Sequence, residues 1–147
     1  MSYVTSDDVQ ERLGEQALIE LTDDASGGSA DLDKVEEAID GAEGEVNSYL
    51  GRRYAVPVDL AAHSMIAEVL KSFVLDLVEH RLHSRRPPVS EDVRRKRSEA
   101  VAWLIRVADG DIVLPTATGL PESEGAAIPG QAVGSPRELT RDELSSL

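Results

Sequence analysis

The longest apolar segment of the chain, residues 61–84, restricts the possible folds more than any other part of the sequence. Its apolar side chains recur at the three- and four-residue steps of an α-helix and cover one broad face. These side chains are Met65, Ile66, Val69, Leu70, Phe73, Val74, Leu77, Val78 and Leu82. The side expected to face solvent carries Glu68, Lys71, Asp76 and Glu79. Because so wide a face needs several neighbours to bury it, the segment predicts the central helix of a bundle.

Residues 33–58 predict a second amphipathic helix followed by a sharp exit. The apolar stripe of this helix consists of Val35, Ile39, Ala42, Val46 and Tyr49. Asp33 is expected to cap the helix, and Gly51 to end it in the left-handed conformation that glycine adopts without steric cost. Since the residue before Pro57 avoids the helical region, the segment that follows Gly51 is expected to be extended.

Cap and stop residues predict three further helices. Thr5 or Ser6 is expected to cap a first helix that Gly14 ends, and residues 15–21 predict a short second one. Ser90 is expected to cap a last long helix, which Gly110 ends. The fold class is therefore all-α, a small bundle of about four to five helices around a central long helix.

The C-terminal quarter of the chain has a different composition. Residues 116–135 are rich in glycine, proline, alanine and serine and contain no basic residue. Residues 135–147 begin with a capping-box pattern and predict a short C-terminal helix. We therefore divide the chain into a helical domain over residues 1–114 and an extended tail over residues 115–147.

The net charge of −13 is unevenly distributed along the chain. Residues 1–50 hold 14 acidic and 2 basic residues, whereas residues 51–107 hold 7 acidic and 11 basic residues. This asymmetry favours pairing between copies or with a partner, although solvated helix surfaces would show the same pattern. The acidic balance argues against duplex DNA as a specific ligand, because phosphate binding needs clustered cations.

The sequence carries no motif that predicts catalysis or a cofactor. It lacks nucleotide-binding, metalloprotease and nucleophile-elbow motifs, and it contains no cysteine. The loop over residues 22–30 lacks the ligand spacing of a calcium loop, and His80 and His83 have no evident third metal ligand. The N-terminus does not resemble a signal peptide, and no apolar run is long enough to span a bilayer. We expect a protein without catalytic residues, metal, cofactor or membrane contact, made in a cytoplasm.

A basic run over residues 94–97 and the single tryptophan predict a partner surface. Four consecutive positions cannot share one face of a helix, so a solvated or partner-facing surface is favoured over a DNA-reading helix. Trp103 is expected to be partly exposed, and a tryptophan contributes strongly where it lies in an interface. The candidate partner-binding residues are Arg94, Arg95, Arg97, Trp103, Leu139, Leu144 and Leu147.

An ordered set of short motifs resembles a family of Mu-like phage proteins, originally a domain of unknown function. The most specific stretch is VNSYLGRRYAVPV at residues 46–58. The other matching pieces are Tyr3-Val4-Thr5 with Asp7-Asp8, Leu13-Gly14-Glu15, Leu21-Thr22-Asp23, Arg81-Leu82-His83 and Ala102-Trp103-Leu104. The resemblance covers roughly residues 3–114 and does not extend into the tail.

This resemblance implies a head–tail connector, similar to the helical adaptors that form a ring, usually of twelve copies, beneath the portal of tailed phages. The implied partners are other copies of the chain, the portal and a neck or tail component, and the implied location is the virion neck. Genomic DNA would pass through the channel without sequence-specific binding. In such a ring we expect lumen-facing acidic residues at Glu36, Glu37, Asp40 and Glu43. Tyr49, Arg53, Tyr54 and Pro57 resemble a structural corner between two helices.

Two other function classes remain open on the sequence. A small acidic regulatory or DNA-mimic protein would have the same net charge and would bind a basic partner. A helical DNA-binding regulator would use the basic run over residues 94–97, although such a protein should be net basic on one face.

Overall fold

The computed structural model describes residues 2–115, which form a bundle of five α-helices. The helices are α1 (Ser6–Leu13), α2 (Glu15–Thr22), α3 (Leu32–Leu50), α4 (Ser64–Ser84) and α5 (Glu91–Asp109). The described part of the chain has no strand, which confirms the predicted all-α class. The tail and its predicted C-terminal helix lie outside the described residues.

Two long helices share the centre of the bundle. As predicted, α4 contacts each of the other four helices, and α3 does the same. The short helices α1 and α2 pack against the α3–α4 pair, and α5 packs against the same pair without contacting α1 or α2. The core that these helices enclose consists mainly of leucine, valine and alanine. None of the helices in residues 2–115 is long and apolar enough to cross a membrane.

The predicted caps of α1 and α5 are confirmed by their hydrogen bonds. Thr5 and Asp8 form a reciprocal capping box at the start of α1. The Ser90 hydroxyl accepts a hydrogen bond from the Val93 amide at the start of α5. Gly110 ends α5 with a φ of 91°, a left-handed conformation that favours glycine.

Both ends of α3 differ from the prediction. At its start, the helix begins at Leu32 after Asp31, so the prediction of Asp33 as the cap is wrong and Asp33 lies in the first turn. At its end, Gly51, predicted to be left-handed, has a right-handed conformation with a φ of −61°. The chain continues in a tight turn, in which the Leu50 carbonyl accepts from the amides of Arg53 and Tyr54 at 3.0 and 2.9 Å. Glycine suits this turn for a steric reason, because an added Cβ would lie 2.9 Å from the Asn47 carbonyl oxygen.

The burial of α4 also differs from the prediction, both on its apolar side and on the side expected to face solvent. Met65 and Val69, expected to be buried, are 72% and 44% exposed. One side of the first turns of α4 is therefore open, whereas Ile66 and Leu70 of the same turns pack against the core. Asp76 and Glu79, expected in solvent, are 8% and 9% exposed because Arg12 of α1 packs over them.

Candidate interaction surfaces

The turn after α3 holds the C-terminal end of the described chain. The Tyr54 hydroxyl accepts a hydrogen bond from the Leu114 amide at 2.9 Å. The Tyr54 ring meets the His63 ring edge-on, with 6.2 Å between the ring centroids. His63 Nδ1 lies 3.0 Å from the Pro115 carbonyl oxygen. The chain therefore leaves residues 2–115 beside the start of α4.

Tyr3, which was not among the candidate residues, holds the same turn from the N-terminal side. Its hydroxyl donates to Asn47 Oδ1 at 2.6 Å and accepts from the Val58 amide at 2.8 Å. Burial of the ring raises the pKa of Tyr3 above its ordinary value. The only sequence signal for this role is that Tyr3 opens the set of motifs that resembles the phage family.

The other residues of the candidate corner lie around this turn. Tyr49 and Tyr54 are half-buried against the core, whereas Pro57 is exposed. The Arg53 guanidinium lies over Gly110, where an added Cβ would come within 1.7 Å of Arg53 Nη1. The turn is therefore fitted closely to the end of α5.

The candidate lumen residues on α3 have two different environments. Glu36, Glu37 and Asp40 are exposed. Glu43 instead holds the N-terminal segment, because its Oε1 accepts from the amides of Tyr3 and Val4 at 2.6 and 3.3 Å. Glu36 and Asp40 therefore lie exposed beside the N-terminal segment, Glu37 is exposed at the cleft between α3 and α4, and Glu43 has a structural role.

A polar cleft of about 610 Å³ lies between α3, α4 and α5. At its base, Glu45 binds Arg81 and Arg97 at 3.0 and 2.8 Å. Gly41 allows the Arg81 guanidinium to approach α3, since an added Cβ would lie 2.7 Å from Arg81 Nη1. Burial and the charge of Arg97 lower the pKa of His80, which also lines this cleft. Because it binds Glu45, the partner-binding candidate Arg97 takes part in a contact within the domain.

The remaining residues of the basic run face different ways along α5. Arg95 pairs with Asp92 and Glu99 of its own helix at 2.5 and 3.1 Å. Lys96 pairs with Asp92 at 3.1 Å. Arg94 is exposed and makes no ion pair with another described residue. Residues 94–97 therefore do not form a continuous cationic patch.

The aromatic candidate Trp103 is half-buried against α4. Its ring lies 5.0 Å from the Phe73 ring, measured between centroids, with the planes tilted by 42°. The candidates Leu139, Leu144 and Leu147 lie outside the described residues.

The loop between α2 and α3 is held by ion pairs. Asp24 binds Lys34, Arg85 and Arg86, with distances from 2.6 to 3.3 Å. Hydrogen bonds from Lys34 and Arg85 lower the pKa of Asp24 to about 2. Asp23 accepts hydrogen bonds from amides of its own loop. Within residues 2–115, no group of three or more acidic or histidine side chains is arranged to hold a metal ion.

Comparison with known proteins identifies the family of the chain. The model of the family described as Bacteriophage Mu, Gp36 matches residues 3–129, which include all five helices and the first part of the tail. A comparison with curated proteins found no match. Since the family model spans far more than half of the chain, this protein belongs to the bacteriophage Mu Gp36 family.

Proposed function

We propose that this protein is a head–tail connector of a tailed phage, a ring subunit that lies beneath the portal and joins the head to the tail. Membership of a phage Mu family supports the phage setting. The observation that carries the proposal is the exposed acidic surface of α3 on a small helical bundle. Glu36 and Asp40 of α3 are exposed beside the N-terminal segment, whereas the exposed charges of α5 are mixed, since Arg95 pairs with Asp92 and Glu99.

A ring needs two different surfaces on each subunit. Copies that meet head to tail around a closing axis use a heterologous interface, in which one face of the subunit contacts another face of its neighbour. A bundle with an acidic side on α3 and a side of mixed charge on α5 suits this arrangement, because repulsion between like acidic faces disfavours their contact and favours a contact between different faces. We propose that this ring, with about twelve copies as in the adaptors that the sequence resembles, binds the portal above and a neck or tail component below.

The acidic surface of α3 is proposed to face the DNA channel. Glu36, Glu37 and Asp40 are exposed on one helix, and their negative charge would repel DNA phosphates. Several cations that could bind phosphate are already paired with carboxylates, as Arg81 and Arg97 are with Glu45. DNA would then slide past without adhering. The proposed role is one of binding and geometry in the virion neck, with no catalytic step and no cofactor.

The lumen assignment is tested by phage carrying Glu36→Gln, Glu37→Gln and Asp40→Asn together. The matched control is Glu11→Gln, Glu15→Gln and Glu20→Gln, which removes the same charge from exposed positions of α1 and α2. We expect slower genome ejection or retained DNA in the first variant and normal ejection in the control. Equal ejection in both would remove the lumen assignment while leaving the connector proposal intact.

The connector proposal itself is tested by measuring the mass of the purified protein alone and with its portal. We expect a closed ring, or a ring that forms on the portal. A protein that stays monomeric and never joins a portal or tail component would overturn the proposal.

A second candidate function is that of a small acidic regulatory or DNA-mimic protein. It is favoured by the net charge of −13 and by the exposed carboxylates on α3. Such a protein would co-purify from infected cells with a basic host or phage protein. It would be absent from purified virions, whereas a connector would be present in a fixed number of copies.

A further inference from the structure

The first turns of α4 carry an apolar stripe that the described residues leave uncovered. Met65, Val69 and Phe73 recur every four residues and therefore lie along one side of the helix. Met65 and Val69 are 72% and 44% exposed, and Phe73 is half-buried beside Trp103. Single exposed apolar residues are ordinary, but a stripe that continues into a half-covered aromatic pair indicates a contact surface.

The chain leaves the described structure at the end of α4 that carries this stripe. The Pro115 carbonyl oxygen lies 3.0 Å from Nδ1 of His63, the residue immediately before α4. Met65 follows His63 by two residues, and Val69 lies one turn further along. The next residues of the chain therefore start within a few residues' reach of the stripe.

The length and composition of the following segment fit this surface. Leu120 is the first large apolar residue after Pro115. Five extended residues span up to about 17 Å, whereas the stripe from Met65 to Phe73 extends along α4 for only about 12 Å. The family model continues through residue 129, so residues 116–129 belong to the same matched unit as the helices.

We propose that residues 116–129 of the same chain dock on the stripe formed by Met65, Val69, Phe73 and Trp103, with Leu120 as the apolar anchor. Burial of Leu120 against Met65 and Val69 removes apolar surface from water on both sides of the contact. Because the segment is tethered at Pro115, its effective concentration at the stripe is high, and a small contact suffices. This inference concerns the packing of the subunit and does not depend on the connector role.

The chain contains a direct probe of this contact, because Met65 is its only methionine apart from Met1. The rate at which hydrogen peroxide oxidises Met65 in the full-length protein, followed by mass spectrometry, reports how well the thioether is covered. We expect Leu120→Ser to accelerate Met65 oxidation several-fold. The matched control Leu144→Ser, which lies beyond residue 129, should leave the rate unchanged.

A reciprocal measurement tests the segment itself. Glu122 and Glu124 are sites for a glutamate-specific protease within residues 116–129. The variant Met65→Ser/Val69→Ser should be cut there several times faster than the wild type. Leu32→Ser replaces a residue that is 53% exposed at the start of α3, and this control should not change the cleavage rate.

Two outcomes would overturn the proposal. The first is that Leu120→Ser does not change the oxidation rate of Met65 and that Met65→Ser/Val69→Ser does not change the rate of cleavage at Glu122 and Glu124. In that case residues 116–129 do not cover the stripe. If protection of Met65 disappears on dilution of the full-length protein, a second copy covers the stripe instead of the same chain.

Discussion

Removal of the Arg12 side chain should weaken the attachment of α1 to the central helix. The Arg12 guanidinium lies 2.5 Å from Asp76 and 3.9 Å from Glu79. The two carboxylate side chains are only 10% and 11% exposed, and Glu79 Oε2 is buried without a hydrogen-bond partner. In Arg12→Ala, Lys96, which lies 3.6 Å from Glu79, would be the remaining cation in this cluster.

The size of the effect follows from the burial of the three groups. Removal of one partner from a buried ion pair costs about 3–5 kcal/mol, because the other charge stays buried without compensation. An exposed pair contributes only about 0–1 kcal/mol. The Arg12 side chain is 33% exposed, which places this cluster between the two cases. We therefore expect Arg12→Ala to lower the free energy of unfolding by about 2–3 kcal/mol.

The loss should also depend on pH in a defined direction. Burial raises the pKa of Asp76 above its ordinary value of 3.8, and the charge of Arg12 opposes this rise. The folded state therefore binds this proton more tightly than the unfolded chain, so the contribution of Asp76 to stability falls as the pH rises from 3.8 through the raised pKa. Without Arg12 the pKa rises further. The cost of Arg12→Ala should therefore be largest near about pH 7 and smaller near about pH 4.

Urea unfolding, followed by circular dichroism at several pH values, measures this effect. Arg94→Ala, which removes an exposed guanidinium from α5, is the control and should change the free energy of unfolding by less than about 0.5 kcal/mol. Arg12→Ala/Asp76→Asn should recover part of the loss, because one uncompensated charge is gone. A loss for Arg12→Ala no larger than that of the control, or one that is the same at both pH values, would refute the reasoning.

Three further predictions concern other contacts. Tyr3→Phe should cost about 1–3 kcal/mol and accelerate hydrogen exchange at the Val58 amide, which loses its acceptor; unchanged exchange would contradict the bond. Gly110→Ala should lower the free energy of unfolding by about 1–3 kcal/mol, because residue 110 has a positive φ. Gly44→Ala, at an open position of α3, should raise the free energy of unfolding by about 0.5–1 kcal/mol. A shift of the urea midpoint in the opposite direction would contradict the prediction for that variant. Asp24 has a lowered pKa of about 2, so its ion pairs stabilise the fold above pH 3.8 and are lost as the pH falls through about 2. Asp24→Asn should therefore flatten the acid-unfolding curve in that range, and an unchanged curve would rule out this contribution.

The helix starts and stops that could be predicted depend on short-range interactions. The hydroxyls of Thr5 and Ser90 bond to amides three residues away, and Gly110 ends α5 through its own backbone conformation. Such contacts involve only a few consecutive residues, so the sequence alone determined these helix boundaries. The apolar stripe of α5 is equally local, since Val93, Ala100, Leu104 and Val107 fall at helical spacing in the sequence, and all four are buried.

The candidate site could be predicted only in part for the same reason. The acidic character of α3 follows from its sequence, but Glu43 faces the N-terminal segment because the Tyr3 amide lies 40 residues away in the chain and next to it in space. Arg97, proposed for a partner, binds Glu45 across the cleft, over a separation of 52 residues. No local pattern distinguishes a carboxylate or guanidinium that meets a distant partner from one that meets water.

The amino-acid sequence by itself determined the all-α class, the order of the helices and the stretches that carry them, because helical periodicity and capping are local properties. Only the tertiary structure decided which sides of the central helix are covered. Asp76 is buried because Arg12, 64 residues earlier, packs over it, while Met65 is exposed because the described residues leave its side of α4 uncovered. Burial depends on the position of the neighbouring helices, and one helix's own residues do not specify that position.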